Sequence, residues 1–328
     1  MSIAAEQVFS TAELHLDPAA ETERITEAIS SQVSGRLRRK GVVLGLSGGI
    51  DSSVTAALCV HALGPERVLG LFMPERDGSR ESLALGCLLA ESLGIETVLE
   101  DIAPVLEAVG CYRARDIALA RLFPEFEPGF KWKIVLPSLF DGAGYRVFSA
   151  VLQLPDGRLL RKRMPLDVYQ QVVAATNYKQ RVRKMIEYHH ADRLHYAVAG
   201  TPNLLESDQG FFVKNGDGAA DLKPIAHLYK SQVYQLAEHL DLPAAIRHRP
   251  PTTDTYSLEQ TQEEFFFSLP YDHMDACLYG RNHGVPAEQV AAAIGLTAEQ
   301  VDRVYADIDA KRRAARYLHE PPLCVPVE

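Results

Sequence analysis

The stretch that most constrains this chain is Leu44-Gly45-Leu46-Ser47-Gly48-Gly49-Ile50-Asp51-Ser52-Ser53. An apolar run opened by the β-branched Val42 and Val43 stops abruptly at Ser-Gly-Gly. A helical run from Ser52 to Leu63 follows and ends at Gly64-Pro65. The order is strand, glycine loop, helix. Glycines let a backbone turn tightly and come close to a ligand. The N–H groups of such a loop, and the positive end of the helix behind it, favour an anion. It is not a Walker loop, because no Gly-Lys-Ser/Thr follows the glycines. A plain strand-to-helix turn would also use glycines. It would not need Ser and Asp at these spacings, which add donors and a metal ligand.

Composition narrows how an anion can be held. The formal net charge is −9 over 328 residues, so general attraction to nucleic acid or to an anionic membrane is not expected. A local cluster must do the work. At 47% hydrophobic and 23% charged residues the chain is ordinary for a soluble protein with a sizeable core. Cys59, Cys87, Cys111, Cys277 and Cys324 are scattered, with no CxxC pair. A disulfide framework or zinc site is not expected, and a reducing cytoplasm fits. Met1 to Asp17 lacks a basic flank and an apolar block, so it reads as a loose arm and not a signal peptide. No apolar run approaches a membrane span.

Along the chain, Ile25, Ile29, Val33 and Leu37 recur every four residues and predict an amphipathic helix over Pro18 to Arg39. Further strands are expected at Arg67 to Met73, Ile95 to Leu99 and Leu194 to Ala199, with a helix from Glu81 to Leu93 ended by Gly94. Alternating strands and helices imply an α/β fold with a doubly wound parallel sheet. Ligands in such sheets sit at the carboxyl ends of the strands, where the glycine loop lies. Residues 113–166 break the rhythm. Tyr145 to Leu154 and Leu159 to Met164 flank Pro155-Asp156-Gly157-Arg158, which predicts an inserted β-hairpin. Its second arm carries Arg161-Lys162-Arg163, read either as a solvated edge that blocks aggregation or as a lid over a ligand. Asp167 to Ala191 and Leu228 to Leu240 are expected helices, and Arg249 to Asp254 an extended loop. The tail reads as Pro286 to Ile294, then a helix capped by Thr297 and Gln300 that runs to about Leu318. Its resemblance to a DNA-binding helix-turn-helix is discounted on the acidic net charge.

The SGGxDS stretch resembles the PP-loop of the ATP pyrophosphatases, which hold the pyrophosphate of ATP while its α-phosphate is attacked. Further residues follow in order: Asn177-Tyr178-Lys179-Gln180-Arg181-Val182-Arg183-Lys184-Met185, then Gly200-Thr201 with Glu206, and Gly210-Phe211-Phe212-Val213-Lys214-Asn215-Gly216-Asp217-Gly218. Asp221-Leu222-Lys223-Pro224-Ile225, Lys230 and Pro251-Thr252-Thr253-Asp254 complete the set. It resembles the NAD synthetase family over roughly residues 20–110 and 167–280.

The resemblance implies an adenine nucleotide alpha hydrolase-like fold over one domain, 1–328, with 113–166 inserted and 286–318 a C-terminal helical hairpin. It also implies amidation of nicotinic acid adenine dinucleotide by ammonia, through an acyl-adenylate, with ATP as co-substrate and Mg²⁺ bridging its phosphates. ATP binding is implied for Gly45, Leu46, Ser47, Gly48, Gly49, Ile50, Asp51, Ser52, Thr201, Lys230 and Thr252. Of these, Asp51, Lys230 and Thr252 are the implied catalytic residues, and Asp51 and Glu206 the magnesium ligands. Arg181, Lys214, Asp221 and Lys311 are the implied substrate contacts, and a homodimer is implied. The neighbouring Lys179, Arg183 and Lys184 read as an exposed helix face.

This sequence departs from the family pattern in three places. Asp309-Ala310-Lys311-Arg312-Arg313 stands where a His-Lys-Arg element is usual, the insertion is extra, and Pro202-Asn203-Leu204-Leu205 is less polar than usual. No nitrilase-like glutaminase domain is expected, so nitrogen would come from free ammonia or a separate glutaminase subunit. Two other readings stay open: a paralogous ligase for a different carboxylic acid, and a silent adenine-nucleotide-binding regulator. Retention of Asp51, Glu206 and Lys230 argues against the regulator.

Overall fold

Residue choice at the start of each element explains where it begins. The computed structural model describes residues 9–137, 139–140, 147–252 and 255–325. Helix α1 (Pro18–Ser30) opens where the Asp17 carboxylate accepts from the Ala19 and Ala20 N–H groups, with Pro18 in the first turn. It buries Ile25 and Ile29, and a π-helical turn, Ser31–Arg36, carries the stripe on to Val33. Strand β1 (Val42–Gly45) has Val42, Val43 and Leu44 wholly buried, since such a run has no polar face for water. Helix α2 (Ile50–Leu63) leads to β2 (Val68–Phe72), α3 (Arg80–Leu93) and β3 (Glu96–Leu99). Gly94 ends α3 in the left-handed region at φ 65°. These elements agree with the sequence reading to within a residue or two at most ends.

Next come α4 (Ala103–Ala108), α5 (Cys111–Leu122), β4 (Lys131–Val135), β5 (Ser149–Gln153), β6 (Leu159–Arg163), α6 (Leu166–Leu194) and β7 (Ala197–Val198). The main sheet is parallel, in the order β3-β2-β1-β7, with Val42 opposite Val68 on one side and Ala197 on the other. One face is covered by α1, α2, α3 and a later helix, the other by α4 to α6. The insertion is larger than the expected hairpin. It is a three-stranded antiparallel sheet, β4-β5-β6, preceded by α5. Pro155-Asp156-Gly157 makes the turn, with Gly157 at φ 86°, and Tyr145 of the expected first arm lies outside the described residues. Its core of Trp132, Ile134, Ala150 and Leu152 packs on Val168 and Val172 of α6. β6 is the edge, and Arg161, Lys162 and Arg163 are exposed. Lys162 donates to the Leu122 carbonyl at the end of α5.

The chain closes with α7 (Leu204–Gln209), α8 (Lys230–His239), α9 (Ala244–Arg247), α10 (Tyr271–His283), α11 (Ala287–Ile294) and α12 (Ala298–His319). The helix covering the first face is α8. The Thr297–Gln300 capping box forms as read. Helix α10 has no counterpart in the sequence reading. It packs between α8 and α12 and buries Met274, Cys277 and Leu278. The expected loose arm is also corrected. Phe9 and Leu14 are buried in the same cluster as α10, and the Phe9 N–H donates to the Gln289 side chain at 3.1 Å. Among the described residues no helix is long and apolar enough to cross a membrane.

Candidate active site

The strand order reverses at β1, because the chain builds outward to β3 and then returns to β1's free side with β7. Crevices form at the carboxyl ends of strands at such a switch point. A cavity of about 640 Å³ opens there. Gly45 at the end of β1 with Leu46 and Ser47 after it, Met73 and Pro74 after β2, and Gly200 and Thr201 after β7 wall it.

The loop after β1 is braced by its own serines. The Ser47 hydroxyl accepts from the Gly49 N–H at 3.2 Å and lies 3.1 Å from the Ser52 hydroxyl. The Ser52 and Ser53 hydroxyls donate to the Gly49 carbonyl at 3.0 and 2.8 Å. Gly48 sits at φ 71°, and a side chain there would collide with the Ser82 carbonyl of α3. No side chain caps the start of α2, so the helix presents its N-terminal end to the cavity.

Beside that helix end lies a buried charge cluster. The Lys230 ammonium is wholly buried and sits 2.5 Å from Asp51 Oδ2. Asp51 Oδ1 accepts from the Asn203 side-chain amide at 3.0 Å. Asn203 also shares a capping box with Glu206, so one asparagine orients both carboxylates. Burial first, then the Asp51 charge, push the Glu206 carboxyl up to about 8 against the pull of Lys230. For Lys230 burial favours the neutral amine, but the Asp51 and Glu206 charges outweigh it and its pKa is raised. Helix α8 starts at Lys230 because Asp275 of α10 accepts from the Lys230 and Ser231 N–H groups, at 3.2 and 2.7 Å.

Two further walls complete the cavity. On α6 the lining positions Thr176, Asn177, Gln180, Lys184 and Glu187 form one helical stripe. Lys184 pairs with Glu187 at 2.5 Å, both buried. The other wall is aromatic. Phe148, at the edge of the insertion, stacks on Tyr169 of α6 with centroids 4.6 Å apart, beside Phe211 and Phe265. The insertion therefore reaches the cavity through Phe148, and its cationic arm does not line it.

The structure gathers most of the nucleotide residues expected from sequence. Gly45, Leu46, Ser47, Gly49, Ile50, Asp51, Ser52, Thr201, Glu206 and Thr252 line the cavity. Gly48 turns its α-carbon toward α3, and Lys230 stands behind Asp51. Thr253 and Asp254 lie outside the described residues. The expected substrate contacts are not part of the wall. Arg181 is exposed, off the α6 stripe, and donates to the Lys214 carbonyl. The Lys214 ammonium donates to the Tyr317 and Glu320 carbonyls at the end of α12. Asp221 accepts from the Val198 N–H at 2.8 Å, and the Lys311 ammonium lies 4.4 Å from the ring centre of the lining residue Phe266.

Lys179 and Lys184 overturn their reading as an exposed face, since both are buried. Sequence reasoning also missed Asn203 and Asp275. The Asn203-x-x-Glu206 spacing is a readable capping box, whereas Asp275 reaches α8 across 45 residues and leaves no local signal.

Comparison with known proteins finds relatives over nearly the whole chain. The NAD synthase family model matches residues 21–119 and 160–315, leaving out most of the inserted sheet. An NH(3)-dependent NAD(+) synthetase of Rhizobium meliloti (strain 1021) is 60% identical over 322 residues, covering 98% of this chain and 96% of that one. Another with that name, from Mesorhizobium japonicum, is 58% identical over 310 residues, covering 94% and 97%. Among solved structures, an NMN synthetase from Francisella tularensis superimposes with TM-score 0.64 at 23% identity, over 95% of this chain and 100% of that one. An NH3-dependent NAD synthetase from Campylobacter jejuni gives 0.61 at 21%, over 95% and 100%. At such identities the structures speak for the fold, and the extended sequence matches carry the relationship: this chain belongs to the NAD synthase family.

Proposed function

We propose that this protein is an ammonia-dependent NAD synthetase that converts nicotinic acid adenine dinucleotide to NAD at the cost of ATP. The observation that carries the reading is the switch-point cavity, where a serine-braced glycine loop and an uncapped helix start that carries Asp51 stand beside the buried Glu206 and Lys230. A substrate carboxylate oxygen attacks the α-phosphorus of ATP, the bond to the β-phosphate bridge breaks, and pyrophosphate leaves. Ammonia then attacks the acyl carbon of the adenylate, AMP leaves, and the nitrogen sheds a proton. The Ser47–Ser52 loop and the start of α2 receive the pyrophosphate, Thr201 and Thr252 complete the ATP contacts, and Lys230 acts from behind through Asp51. These fixed donors meet negative charge as it develops and need no reorganisation.

Asp51 and Glu206 suit a magnesium ion. Mg²⁺ takes oxygen ligands, and one or two carboxylates plus substrate phosphates hold it. Among the described residues no three-acid or His/Cys cage competes with that assignment. A magnesium ion held by Asp51 and Glu206 would supply positive charge against the phosphates. Asn203 aims both carboxylates, Asp51 through its side-chain amide and Glu206 through its backbone N–H.

The whole chain acts as one catalytic unit in the cytoplasm, with the 113–166 insertion and the 286–318 helical pair as its additions. Arg181, Lys214, Asp221 and Lys311 hold the dinucleotide across a homodimer interface, which accounts for their position outside this chain's own cavity. The test is to incubate pure protein with ATP, ammonium and a panel of acids that includes nicotinic acid adenine dinucleotide, following AMP and pyrophosphate. The rate should rise with pH toward the pKa of ammonium, since NH₃ is the nucleophile, and glutamine should not replace it. Turnover of another acid in preference to the dinucleotide would refute the substrate assignment.

A further inference from the structure

Two segments far apart in sequence both line the cavity: Glu75, Arg76 and Gly78 after β2, and Pro251, Thr252 and Thr255 after α9. One side chain of α6 joins them. Lys179 is 1% exposed, and its ammonium donates to Glu75 Oε1 at 3.0 Å, to Asp77 Oδ2 at 2.7 Å and to the Thr255 carbonyl at 2.8 Å. An ammonium has three donors, and all are used. The same two acids are gripped from behind by α5, the helix that opens the insertion. Arg115 pairs with Asp77 at 2.6 Å, and the Tyr112 hydroxyl donates to Glu75 at 3.0 Å while accepting from the Arg76 N–H at 3.4 Å.

Burying an ammonium is an inefficient route to stability, because apolar packing of equal volume does as well or better. What the cation adds is direction: three short hydrogen bonds set the separation of two chain segments. We propose that Lys179 is a positioning residue for ATP, a strut that fixes the Glu75–Asp77 loop relative to the lining residue Thr255 and so sets the shape of the cavity between them. Helix α5 supports the strut through Tyr112 and Arg115. The proposal rests on reading the cavity as the ATP site.

Steady-state kinetics with ATP as the varied substrate test it. Lys179→Met keeps the side-chain length and removes the donors. The KM for ATP should rise about tenfold or more, with kcat at saturating ATP within about threefold of wild type. The variant should also melt lower, because Glu75 and Asp77 lose their partner. Lys179→Met combined with Glu75→Gln restores the charge balance and keeps an acceptor for Tyr112. The melting temperature should recover while the KM for ATP stays raised. A KM that returns to the wild-type value together with stability would make Lys179 merely structural and overturn the strut. So would a wild-type KM in Lys179→Met itself. If the single variant does not fold, the double variant is compared with wild type under the same two outcomes. Ser47→Ala serves as the reporter for the site. An unchanged KM for ATP in Ser47→Ala sinks the ATP-site reading and the strut together, whereas a raised KM there with wild-type values in the Lys179 variants sinks the strut alone.

Discussion

Replacing Lys230 by methionine removes one buried cation and leaves two acids behind. The ammonium is wholly buried, 2.5 Å from Asp51, whose side chain is 15% exposed. Breaking a buried pair by deleting one partner costs about 3–5 kcal/mol, because the surviving charge is stranded away from water. Asp51 faces the cavity and keeps some hydration, so the lower end applies, about 3 kcal/mol. Unfolding entropy of about 2.1 cal/mol/K per residue, over 328 residues, turns that into a fall in Tm of about 4 °C. Calorimetry in the presence of EDTA reads the shift directly. Adding Asp51→Asn to Lys230→Met should recover most of the loss, because the stranded charge is gone, while adenylation stays abolished. Magnesium should raise the Tm of Lys230→Met more than that of wild type, since the dication replaces the missing charge. A Tm for Lys230→Met within about 1 °C of wild type in EDTA would refute the reasoning.

Three further outcomes are expected. Asp51→Asn and Glu206→Gln should each abolish most ATP-dependent AMP release with circular dichroism near wild type; Glu206→Gln should keep its melting temperature, whereas Asp51→Asn should melt lower because it strands the wholly buried Lys230 ammonium, and near-normal turnover of both at low magnesium would sink the metal assignment. Gly48→Ala, at φ 71° and against the Ser82 carbonyl, should cost about 1–3 kcal/mol of stability by urea unfolding and weaken ATP binding. Burial pushes the Cys59 and Cys277 thiols up to about 12 and Cys111 up to about 11, whereas Cys87 and Cys324 are exposed. Since a raised thiol pKa removes the reactive thiolate below it, iodoacetamide at about pH 8 should modify only Cys87 and Cys324 in the native protein, and intact mass will count the adducts.

Local physics was legible in the sequence, and long-range pairing was not. Val42 to Ser53 announced strand, loop and helix, because backbone sterics and the helix start are set within a few residues. The same holds for the Pro155-Asp156-Gly157 turn and the Thr297–Gln300 cap. Strand β4 escaped notice because Phe130, Trp132 and Pro137 read as irregular chain, and it becomes a strand only by pairing with β5. Lys179 shows the limit most plainly. Its helical neighbours are charged and polar, which locally predicts a solvated face. Its acid partners lie 104 and 102 residues away, and only the packing of α6 against the loop after β2 brings them within hydrogen-bond reach. The sequence alone determined that an anion-holding loop would sit at the end of a parallel strand. The tertiary structure decided which charges are buried beside it, because burying a charge depends on partners that chain proximity does not specify.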